Sequence, residues 1–126
     1  LFSLGILSHE FFHLILRKNV DITFQIKKLA EENSKLLKNI VKKHISEKMF
    51  IEELLISSFI PEGYFREKYL GIKVAVYKSK PHNLLSWRRL IAFKLYDLEK
   101  KYIDNAFQID YEYLKHLIEV IKQNVK

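Results

Sequence analysis

Chain breakers are scarce in this sequence. Three glycines and two prolines serve 126 residues, so few positions can support tight turns, and a mainly α-helical domain follows. With 48% of its residues hydrophobic, the chain has the apolar content to bury the core of one domain and is not a disordered tail. It carries no internal repeat and no low-complexity linker. Residues 1–126 therefore read as a single domain, with the helices of residues 1–63 followed by a helical part over 64–126.

The hydrophobic pattern divides this domain into five main helices and one short one. The first covers residues 3–18 and is apolar nearly all round, the pattern of a helix buried in the core. Asn19 to Asp21 break it, and Asp21 can cap a second helix whose inward residues are Ile22, Phe24, Ile26, Leu29, Leu36, Ile40 and Val41. Ser46 can cap a third, "EKMFIEELLISSF", which ends before Pro61. That helix is also apolar almost all round, yet it contains Glu52 and Glu53. A short helix from Pro61 to Gly71 leads into "IKVAVYK", residues 72–78. The alternation and β-branching of that stretch predict one short strand, so the fold class is mainly α with at most one or two short strands. A fourth helix over residues 84–102 carries Leu84, Trp87, Ile91, Leu95, Leu98 and Tyr102 in one stripe. A fifth starts near Asp110 and turns Leu114, Leu117, Ile118, Ile121 and Val125 inward.

The chemistry is concentrated in the first helix, in "SHEFFHLIL". His9, Glu10 and His13 stand there in the order H-E-x-x-H. Histidines four apart project from one helical face, so both imidazoles can reach one zinc ion. Glu10 stands beside them, placed to take the proton of a zinc-polarised water and pass it to a leaving amine. A chance match is the competing explanation. The flanking residues Ile6, Leu7, Ser8, Phe11, Phe12, Leu14 and Ile15 are uncharged, and burying three polar residues among them without partners is costly. That context favours a metal site. The chain has no cysteine, so any metal must be held by His, Asp or Glu.

A zinc site of this type needs a third protein ligand. Among the residues themselves, Glu52 is the charge most deeply embedded in an apolar helix, with Met49, Leu55 and Ile56 around it. Glu52 is the first choice for the ligand, ahead of Glu53.

"FSLGILSHEFFHLIL", followed by "EKMFIEELLISSFIPEGYF", resembles the ImmA/IrrE family of zinc metallopeptidases over residues 2–65. The resemblance implies a zincin-like helical domain, a zinc cofactor bound by His9, His13 and a glutamate of the later helix, and Glu10 as the catalytic base. It implies hydrolysis of a peptide bond in a protein substrate, with transcriptional repressors as the substrate class. Aligned on Pro61, the family's ligand position falls on Lys48, and a one-residue insertion brings Glu47 into it. Alignment on Phe50, Leu54 and Leu55 puts His44 there, so the candidates rank Glu52, Glu47, Glu53 and last His44. Phe12 replaces the glycine common before the second histidine. Those departures point to a degenerate site as the alternative form. In the family, strands precede the zinc helix. Leu1, which opens the chain inside an apolar pattern, reads as preceded by more protein.

Net charge supports a different reading. The chain carries +7 in all. Residues 1–63 hold nine Lys and Arg against eight Asp and Glu, and residues 64–126 hold thirteen against seven. The basic surplus thus lies away from the histidines, and a non-catalytic helical module that binds protein or nucleic acid is the runner-up. "SWRRLIAFK", with Trp87, Arg88, Arg89 and Lys94, is its best surface, although Trp87 falls on the apolar stripe expected to face the core. No apolar run reaches the ~20 residues of a membrane span, and the first stretch lacks the marks of a signal peptide. The absence of cysteine fits a cytoplasmic protein.

Overall fold

The computed structural model describes residues 18–41, 45–59 and 62–125. Seven helices form among them: α1 (Val20–Glu32), α2 (Ser34–Ile40), α3 (Glu47–Ser57), α4 (Tyr64–Leu70), α5 (Leu84–Lys94), α6 (Tyr96–Asp104) and α7 (Tyr111–Gln123). The fold is mainly α, as the paucity of glycine and proline requires. No helix among the described residues is long and apolar enough to cross a membrane.

Local chemistry sets the helix starts. Ser46 caps α3 by accepting the Met49 backbone N–H at 3.1 Å, and Asp110 caps α7 by accepting that of Tyr113 at 3.0 Å. At α1 the cap is Asn19, which accepts the Ile22 N–H at 3.1 Å, rather than Asp21. Asp21 sits inside the first turn, where its charge suits the helix dipole. At α5, Asn83 and Ser86 form a reciprocal capping box.

Two expected helices are each split in two. Asn33 separates α1 from α2, its side-chain amide donating to the Leu29 carbonyl at 2.9 Å. Leu95 separates α5 from α6 and stays 3% exposed, so the apolar stripe crosses the break unharmed.

The strand expected over 72–78 does not form, and no strand occurs among the described residues. A strand needs a ladder partner to satisfy its backbone. Here α4 side chains do that work. Glu67 accepts the Val74 N–H at 3.2 Å, and Arg66 Nη2 donates to the Lys73 carbonyl at 2.9 Å.

α3 lies at the centre, packed against α1, α2, α5 and α7. Its Ile51 and Leu54 are fully buried, which explains why its sequence is apolar all round. Phe50 meets Trp87 of α5 edge to face at 6.1 Å, and Leu114, Leu117 and Ile121 of α7 complete the core. On α1, Ile22, Ile26 and Leu29 are buried, but Phe24 is 65% exposed. The inward stripe therefore excludes Phe24, against the expectation from its spacing. Leu84, at the exposed start of α5, leaves its expected stripe too.

Candidate functional site

His9, Glu10 and His13 lie outside the described residues, as do His44 and Pro61. Of the candidate third ligands, three are described, all on α3. Glu52 is buried, at 3% exposure, while Glu47 and Glu53 are half-buried. Glu47 receives a hydrogen bond from the Ser34 hydroxyl at 3.3 Å, which ties the first residue of α2 to the first residue of α3. Lys48 is also half-buried on α3. Among the described residues, no three His, Cys, Asp or Glu side chains gather closely enough to hold a metal ion.

Glu52 stands one turn before Leu55 and Ile56, so the three share a helical face. Leu55 and Ile56 belong to an apolar groove of about 380 Å³. Phe59, Phe65, Tyr102 and Phe107 form more of its wall, and Asn19, the cap of α1, lines it as well. In the sequence His13 precedes Asn19 by six residues. The groove therefore adjoins both the face of α3 that carries Glu52 and the residue from which the chain runs back to the H-E-x-x-H stretch. Phe107 is 53% exposed beside it.

Beyond the groove lies a second buried carboxylate that local sequence reasoning missed. Glu99 of α6 is fully buried. Its Oε1 accepts the Tyr64 N–H at 3.1 Å and its Oε2 that of Phe65 at 2.9 Å. It thus caps the first turn of α4, whose preceding residue, Gly63, has no side chain to offer. Burial pushes the Glu99 carboxyl up to about 8 against the opposing pull of those two donors. Both oxygens are occupied by backbone, so Glu99 is a structural cap rather than a catalytic acid. Close by, Ser58 donates to the Leu55 carbonyl at 2.6 Å, and the Tyr113 hydroxyl donates to Ser58 Oγ at 3.0 Å. Burial raises the Tyr113 hydroxyl well above its ordinary value.

The basic stretch on α5 separates into different roles. Trp87 is 5% exposed and belongs to the core. Arg88 pairs with Glu62 at 3.3 Å, while Arg89 and Lys94 are exposed. A nucleic-acid surface built on Trp87 is thereby deprived of its aromatic.

No family model, curated protein or solved structure matches this chain.

Proposed function

We propose that this chain is a zinc-dependent metallopeptidase domain of the H-E-x-x-H type, resembling the ImmA/IrrE family. In this reading His9, His13 and Glu52 hold one zinc ion, and Glu10 is the general base. The observation that carries it is the H-E-x-x-H order of His9, Glu10 and His13, with Glu52 at 3% exposure on the most central helix. A zinc site with two histidines needs one further ligand, and Glu52 offers a carboxylate on the same helical face as the groove-lining Leu55 and Ile56. Oxygen and nitrogen donors are the ones this cysteine-free chain can offer.

Zinc held by these residues would supply a Lewis acid, polarising both a water and the scissile carbonyl. Glu10 takes the proton of the attacking water and returns it to the leaving amine. The groove beside Leu55 and Ile56 suits apolar side chains of an extended polypeptide, so the substrate class is a protein or peptide, with transcriptional regulators as the kind the resemblance suggests. The setting is cytoplasmic.

The test is zinc content after gentle purification, followed by calorimetric titration of the metal-depleted protein. Wild type should hold about one equivalent. Glu52→Ala should weaken zinc by more than the roughly 100-fold that altering an outer partner of a ligand costs, and Glu53→Ala should leave it unchanged. If Glu47→Ala or Glu53→Ala carries the loss instead, the ligand moves to that residue. A wild-type protein that takes up no added zinc overturns the reading in favour of the basic helical module.

A further inference from the structure

A second pocket, of about 260 Å³, is lined by Glu62, Arg66, Ala75, Val76, Tyr77 and Arg89. These residues come from the turn before α4, from α4, from the extended stretch after Gly71, and from α5. Two arginines from different helices thus share one small cavity. Its single acid is already engaged, because Glu62 pairs with Arg88 at 3.3 Å. Neither Arg66 nor Arg89 makes an ion pair among the described residues.

Arg66 is also held in place. Its Nη2 donates to the Lys73 carbonyl at 2.9 Å, yet its Nε is buried with no hydrogen-bond partner among the described residues. A buried guanidinium donor without an acceptor is costly unless something supplies one. Guanidinium forks match the oxygens of phosphate better than any other side chain. The cavity is smaller than the roughly 300–1,000 Å³ of drug-sized sites, so it fits a single anionic group with a short tail. Ala75 and Val76, the latter 63% exposed, offer that tail an apolar wall.

We propose that this pocket binds a small phosphate monoester, with Arg66 and Arg89 holding the dianionic phosphate and Ala75 and Val76 contacting the adjoining carbon chain. The site is independent of the zinc reading.

The test uses the whole chain treated with a chelator, so that no metal can bind the phosphate. Inorganic phosphate, ethyl phosphate and sodium chloride of matched ionic strength are titrated in turn, with backbone amide shifts as the readout. Saturable shifts around the pocket are expected with both phosphates, tighter for ethyl phosphate. Arg66→Gln and Arg89→Gln should each weaken binding at least about tenfold, the loss expected when a charge-assisted pair is removed, while Lys122→Gln should not. Arg89→Lys keeps the charge but loses the fork and should also weaken it, which separates recognition from screening. The spectra themselves report whether each variant is folded. Shifts no larger than those caused by chloride, or arginine variants that bind like wild type, overturn the proposal. Tighter binding of inorganic phosphate than of ethyl phosphate overturns the monoester assignment.

Discussion

Glu99 caps a helix that precedes it by 35 positions: its Oε1 lies 3.1 Å from the backbone nitrogen of Tyr64. The bond ties α6 to α4 and leaves an acid fully buried. Burial pushes its carboxyl from 4.5 up to about 8. The folded protein therefore holds this proton where the unfolded chain has released it. A raised folded value contributes stability that is complete below the unfolded value and is lost as pH rises through the folded one. Denaturant unfolding should show stability falling between pH 5 and 9, by up to about 1.4 kcal/mol per pH unit. Glu99→Gln mimics the protonated form and should flatten that slope. An unchanged slope in the variant would assign the pH dependence to other groups.

Gly63 and Gly71 bracket α4 and should respond to alanine very differently. A Cβ on Gly63 would stand 1.4 Å from the Ser58 carbonyl oxygen and 2.8 Å from Glu99 Oε1. Backbone cannot yield that far without displacing the turn between α3 and α4. Gly63→Ala should cost more than about 4 kcal/mol, at the extreme of single substitutions, or abolish folding. Gly71 has open space around it but a φ of +70°. Gly71→Ala should cost only about 1–2 kcal/mol, the penalty of the left-handed region. Urea unfolding of the two variants measures the contrast, and equal losses would contradict it.

The inward face of α1 can be checked by truncation. Ile26 is 2% exposed and Phe24 is 65% exposed. Ile26→Ala should cost about 2–5 kcal/mol, whereas Phe24→Ala should stay within about 0.5 kcal/mol of wild type. Unfolding midpoints give both values. A large loss at Phe24 would restore it to the stripe from which the structure removes it.

These residues also show what a sequence of this kind reveals. Ser46 and Asp110 announce their helices because capping is local, settled within three residues. The breaks at Asn33 and Leu95 are hidden, since hydrophobic periodicity continues through both. The alternation of 72–78 reads as a strand because period cannot report whether a partner strand exists, and α4 side chains take the place of one. In the candidate site, Glu52 is legible as a charge within an apolar run, and its burial agrees. Glu99 is not legible. It sits in "DLEKKY", where any glutamate reads as a solvated charge, and its partners are brought to it by tertiary packing. The groove is equally hidden, for its wall draws on α1, α3, α4, α6 and the loop before α7.

In the proposed reading Glu10 is the general base, and its replacement separates binding from chemistry. Glu10 is not among the proposed zinc ligands, so Glu10→Gln should keep the metal with wild-type affinity while removing the proton acceptor. General acid–base catalysis typically contributes about 100- to 10,000-fold in rate, so hydrolysis of an unstructured polypeptide substrate should fall by a factor in that range. His13→Ala should behave oppositely, losing metal and activity together. Mass spectrometry of the cleavage products, run beside metal analysis of the same samples, reads both quantities. Equal hydrolysis by wild type and Glu10→Gln protein would assign the activity to another site. Tight zinc binding with no cleavage in either would identify a degenerate site, and Lys48 would become the residue to change. On the register set by Pro61, Lys48 occupies the family's ligand position, and Lys48→Glu should then raise zinc affinity. An unaltered affinity would reject that register and leave Glu52 as the ligand.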